Sequence, residues 1–233
     1  MRLRYARRVG SWGVLCAFDR AKFLAEIVPA LRAGEYHPLI AEEIQRSQKH
    51  TYWKLPAMRG LDVVMDTFDA ELNVSSLEKN FTAPAGWTYE ELCVLFESLL
   101  TRYCMTAFTI VGRRYAAWMT LRCEEDGDVL GGTDESNALV QALDERWAWW
   151  TTGNGGYFEG LNGWLDADET VRFASALEHL RPAPEMYEPE WWAERVGKIR
   201  YLVERARLDG VGLLWGGDLR IAYDRSPHSI PEL

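Results

Sequence analysis

The sequence predicts an α+β fold, helix-rich, with a small antiparallel sheet that includes a C-terminal hairpin. Three observations lead there. Apolar residues recur at helical spacing in several windows, and capping residues stand at the start of some of them. Short β-branched and aromatic stretches lie apart from those windows, near the N-terminus, in the middle and near the C-terminus. A Gly216-Gly217-Asp218 turn separates two apolar stretches late in the chain.

In chain order, residues 11–18 read as an N-terminal strand. Asp19 then serves as the N-cap of a helix over 20–32, with Phe23, Leu24, Ile27 and Leu31 on one face and Gly34 closing it. Pro29 is expected to kink this helix. Residues 38–48 read as a second helix, with proline in its first turn. Residues 52–82 show no settled period, and 61–68 is their most helix-like part. Thr88 and Glu91 form a capping box for a helix reaching Tyr103. Leu92, Leu95, Phe96, Leu99 and Tyr103 line one face of it, while Cys93, Val94 and Leu100 make the other side apolar, as in a central helix. Residues 107–111 and 116–123 read as strands.

Three helices follow. The window 135–150 places Leu139, Leu143, Trp147 and Trp150 on one stripe. The window 167–180 follows an Asp166/Glu169 cap and turns Phe173, Leu177 and Leu180 inward. The window 190–208 spaces Trp192, Val196, Ile199, Val203 and Ala206 helically. Stretches 211–215 and 219–223 then make the hairpin around 216–218. No repeat or low-complexity tract interrupts the chain, and the Pro-rich 181–189 is its most linker-like part, so 1–233 reads as a single compact domain. The C-terminal order of capped helix, Pro-rich turn, long amphipathic helix and apolar strand resembles the small bacterial YfbM-like proteins. That likeness covers about 60 residues, lies in the order of elements alone and carries no site residues.

Of the 233 residues, 48% are hydrophobic and 26% charged, which is ordinary globular usage and excludes a disordered tail, a collagen repeat or a coiled-coil rod. No apolar run reaches the roughly 18 residues that span a bilayer, so no membrane association is expected. Net charge is −9, unevenly placed. Residues 1–60 carry 11 Lys/Arg against 5 Asp/Glu, whereas 61–233 carry 15 against 30, a net of −15. An acidic majority repels phosphate backbones and argues against nucleic acid; it suits a basic protein partner. Arg outnumbers Lys 21 to 5, as in bacterial proteins from GC-rich genomes.

Arg2, Arg4, Arg7 and Arg8 before the apolar 9–18 imitate a signal peptide, but Asp19, Arg20 and Lys22 follow at once without a small-residue cleavage site. The segment is therefore expected to be folded protein, in a cytoplasmic chain. Cysteines 16, 93, 104 and 123 form no CxxC clip and each lies in an apolar stretch, which reads as reduced core thiols; a Cys104–Cys123 pairing stays open.

The candidates for chemistry are few. The Gly-rich 153–160 follows a helix where a nucleotide loop needs a strand, its third fingerprint position is Phe158, and no GK[ST] occurs. It reads as a helix C-cap and loop. In the acidic turn 124–128, Leu130 breaks the alternation of a calcium loop. Histidines 37, 50, 179 and 228 show no ligand spacing, so neither metal nor cofactor is expected. No GxSxG elbow or marked nucleophile occurs, which leaves catalytic residues unknown and enzyme status undecided. Arg7-Arg8 and Arg113-Arg114 lack the aromatic interleaving of a nucleic-acid site.

Tryptophan is the unusual feature, with eleven in the chain. Trp147, Trp149, Trp150 and Trp164 bracket the Gly-rich loop, with Asn154, Glu159 and Asn162 among them. Trp149 points away from the helical face shared by Trp147 and Trp150, and Trp191 and Trp192 cannot both face one stripe, so some indoles must reach the surface or a second layer. The leading expectation is a non-enzymatic intracellular binding protein of the immunity or antitoxin sort. It would inhibit a basic protein through an acidic, Trp-rich surface, with Trp149, Trp150, Glu159, Trp164 and Asp166 as contacts. The rival is an enzyme or small-ligand binder, for instance of a sugar, with a Trp-lined groove near 147–164, which predicts a deep pocket with at least two converging carboxylates or an acid of perturbed pKa. A structural or regulatory homodimer with tryptophans at its two-fold interface is the third reading.

Overall fold

A computed structural model describes residues 12–33, 37–47, 99, 105–113, 133–146, 160–180 and 188–217. The described elements are β1 (Trp12–Phe18), α1 (Arg20–Ala33), α2 (Pro38–Ser47), β2 (Met105–Arg113), α3 (Asp134–Glu145), β3 (Gly160–Leu165), α4 (Ala167–Glu178), α5 (Pro189–Asp209) and β4 (Gly212–Gly217). The fold is α+β and helix-rich around a small antiparallel sheet.

Local chemistry sets several boundaries. Lys22 donates its backbone N–H to Asp19 Oδ1 at 2.9 Å, so Asp19 caps α1, and the helix continues through Pro29. Proline opens α2 at a position where no N–H is needed, and the next amide, that of Leu39, donates to His37 Nδ1 at 3.3 Å. Thr133 caps α3 by accepting from the Ser136 N–H at 3.1 Å. At α4 the reciprocal capping box is complete: Glu169 N–H donates to Asp166 Oδ1 at 2.7 Å, and Asp166 N–H donates to Glu169 Oε2 at 2.9 Å. Gly210 stops α5 in the left-handed region at φ 66°. Val211 N–H then reaches back to Ala206 O at 3.0 Å and Gly210 N–H to Arg207 O at 3.2 Å, the paired bonds of a Schellman end.

The sheet order is β2-β1-β4-β3, with every pair antiparallel. β4 is therefore a central strand. Leu15 faces Trp215 across β1–β4, and Leu165 faces Leu213 across β3–β4. Both edges of β4 are filled, by β1 and β3, which sets 212–217 inside the sheet; the second arm expected for the hairpin, 219–223, lies outside the described residues.

Strand alternation gives the sheet two buried faces. On one, Leu15, Ala17, Leu165, Leu213 and Trp215 join a core with Leu139, Val140 and Leu143 of α3, Phe173 and Leu177 of α4, and Ile199, Leu202, Val203 and Ala206 of α5. Each such large side chain contributes roughly 1.5–3 kcal/mol of transfer free energy. On the other, Val14, Cys16, Phe18 and Leu214 are also buried, and Phe18 meets Phe23 of α1 with ring centroids 5.7 Å apart. The helix expected over 88–103 is described only at Leu99, which is helical and buried. The expected strand 116–123 and the helix-like 61–68 lie outside the described residues. No helix among the described residues is long and apolar enough to cross a membrane.

Candidate functional site

The expected contact residues divide into two groups. Trp149, Trp150 and Glu159 lie outside the described residues. Trp164 and Asp166 are described, and they sit where β3 runs into α4. Two residues apart, they occupy one corner of the sheet.

Leu165 points into the core, so alternation sends Trp164 to the opposite side of β3, where it is half-buried. Two guanidinium groups lie over its indole: Arg20 Cζ is 4.0 Å and Arg146 Cζ 4.4 Å from the ring centroid. Each such contact is worth about 1 kcal/mol at a partly exposed site. Arg146 is the C-cap residue of α3, and its Nη1 also donates to the Trp164 carbonyl at 3.1 Å. The same guanidinium makes a two-pronged bond to Glu169, Nη1 to Oε2 and Nη2 to Oε1, both at 2.7 Å.

This closes a circuit. Glu169 holds the Asp166 amide and Arg146; Arg146 holds Trp164; Asp166 caps the helix that carries Glu169. The Arg146 hydrogen bond is the main cause that holds the Glu169 carboxyl below its ordinary range, and the Asp166 backbone amide adds to it. Asp166 itself stays exposed, as does Asp168 two residues along, in the first turn of α4. Chemically the corner is a fixed ion-pair and cation–π cluster, with two carboxylates at its rim.

The tryptophans whose burial is described take different places. Trp215 is a core residue with 5% exposure. Trp164, Trp191 and Trp192 are half-buried, and Arg195 lies over the Trp191 ring at 4.4 Å. That agrees with the expectation that some indoles leave the main core.

Compared with known proteins, the chain matches no family model, no curated protein and no solved structure. The C-terminal likeness to YfbM-like proteins thus remains one of element order.

Among the described residues, no group of three or more His, Cys, Asp and Glu side chains is placed to hold a metal ion. His37 supports the first turn of α2, and His179 is the C-cap residue of α4. Cys16 is a free thiol, fully buried in β1, and burial pushes its pKa far up. A shallow groove of about 500 Å³ runs between α4 and α5, with Val171, Ala174, Leu177 and Val203 among its lining and Glu178, Arg200, Glu204 and Arg207 on its rim. Arg200 is anchored there by donating to Leu177 O from Nε at 3.2 Å and Nη2 at 2.7 Å.

Arg20 and Arg146 are the residues that sequence reasoning missed. Arg146 lies 18 positions from Trp164 and 23 from Glu169, and no local spacing announces such a meeting. Glu169 was legible as a capping partner, but its second role as the acceptor for Arg146 was not.

Proposed function

We propose that this protein is a non-enzymatic cytoplasmic binding protein that captures a basic protein partner, in the manner of an immunity or antitoxin protein. One observation carries the reading: on α3–α5 the cations are largely consumed within the chain, and exposed carboxylates are left over. Arg146 pairs with Glu169, Arg172 with Glu135, Lys198 with Glu194, Arg205 with Asp209 and Arg207 with Glu204. Asp134, Asp166, Asp168, Glu178, Glu188 and Glu190 remain exposed at the surface and appear in none of those ion pairs. Such a surface attracts a cationic partner at long range and selects against acidic ones.

Half-buried Trp164 beside Asp166 and Asp168, with Trp149, Trp150 and Glu159 on the preceding segment, supplies the aromatic part of the proposed contact. Two guanidinium groups already lie over the Trp164 ring, which weighs against this indole as an open stacking face for a sugar.

The test is affinity capture from a lysate of the source organism on the immobilised protein, followed by salt elution. The expected result is one basic protein retained in stoichiometric amount, released by salt, and inhibited in its own activity when bound. A triple variant, Asp168→Lys with Glu178→Lys and Glu190→Lys, should lose most of that retention; because Asp168 and Glu190 stand in the first turns of α4 and α5, where a lysine opposes the helix dipole, its urea midpoint should fall by the equivalent of about 1 kcal/mol while the protein stays folded. Recovery of no stoichiometric partner, or equal retention by the triple variant, defeats the proposal.

A further inference from the structure

We draw no further inference here: the strongest candidate, the shallow groove between α4 and α5, carries nothing, because nothing among the described residues shows what covers it.

Discussion

Glu169 joins two structural tasks in one side chain, and its carboxylate is the group whose ionisation both depend on. It accepts from the Asp166 amide and from both arms of Arg146. Because its folded-state pKa is depressed, the stabilisation is fully present above the unfolded value of about 4.3 and is lost as pH falls through the folded value. Glu169→Gln keeps an acceptor for the cap and removes the charge. It should cost about 0.5–1 kcal/mol at pH 7, a figure already discounted for the partly exposed setting. Urea midpoints over a descending pH series check this: the gap to the parent protein should be constant near neutrality and close below about pH 4.3. A gap that persists in acid would mean that shape, not charge, holds the corner. Cys16 makes a second prediction at this scale. A thiol sealed in the sheet, with its pKa raised by burial, should resist iodoacetamide in the native protein and react after unfolding. Peptide mapping of residues 9–20 before and after denaturant reads the difference; rapid native labelling would contradict the placement of β1.

At the scale of elements, legibility followed how much of the signal was local. Asp19, Pro38 and the Asp166/Glu169 pair act within a few residues, and the helices they start were read within one or two positions. Phe173, Leu177, Val196, Ile199, Val203 and Ala206 repeat at helical spacing and are all buried. β3 was not read, since Gly160-Leu-Asn-Gly-Trp-Leu165 contains two glycines and an asparagine, residues that single strands avoid. Its pairing partner, β4, lies about fifty residues on, and its fit against α3 is equally non-local. Gly163 shows the reason for one of those glycines. A Cβ there would stand 2.1 Å from the Ala142 carbonyl oxygen and 2.6 Å from that of Leu143, both backbone atoms of the last turn of α3. That turn cannot yield without moving the helix, so Gly163→Ala should cost about 2 kcal/mol or more. Gly210→Ala offers a contrast. Its Cβ meets nothing within 4 Å, and only the left-handed φ of 66° opposes it, for about 1 kcal/mol. Urea denaturation of the two variants should rank Gly163→Ala as clearly the more damaging; equal losses would show that α3 does not press on β3 as closely as described.

For the whole molecule, topology and charge act together. One of the two inner strands of the sheet, β4, comes late in the chain, and its neighbours β1 and β3 start near residues 12 and 160, so sheet closure joins segments far apart in sequence. The helices that cover one face, α3–α5, come from the strongly acidic part of the chain, and their cations face inward electrically, each held by a neighbouring carboxylate or carbonyl or lying over an indole. Alternation along β3 explains why Trp164 and the core residue Leu165 part company, and the start of α4 at the end of that strand sets the exposed Asp166 next in the chain. If that charge surplus is what recruits the partner, its effect belongs mainly to the association rate. Long-range steering raises the frequency of productive encounters and fades once the Debye length falls below the reach of the field, about 10 Å at 0.1 M salt. Stopped-flow association with the captured partner should therefore slow by about tenfold or more between low and physiological salt, while the dissociation rate changes far less. The Asp168→Lys, Glu178→Lys, Glu190→Lys variant should show slow association already at low salt and little further salt dependence. Salt-independent association of the parent protein would place the recognition in packed apolar contacts and leave the exposed carboxylates with no role beyond keeping the surface hydrated.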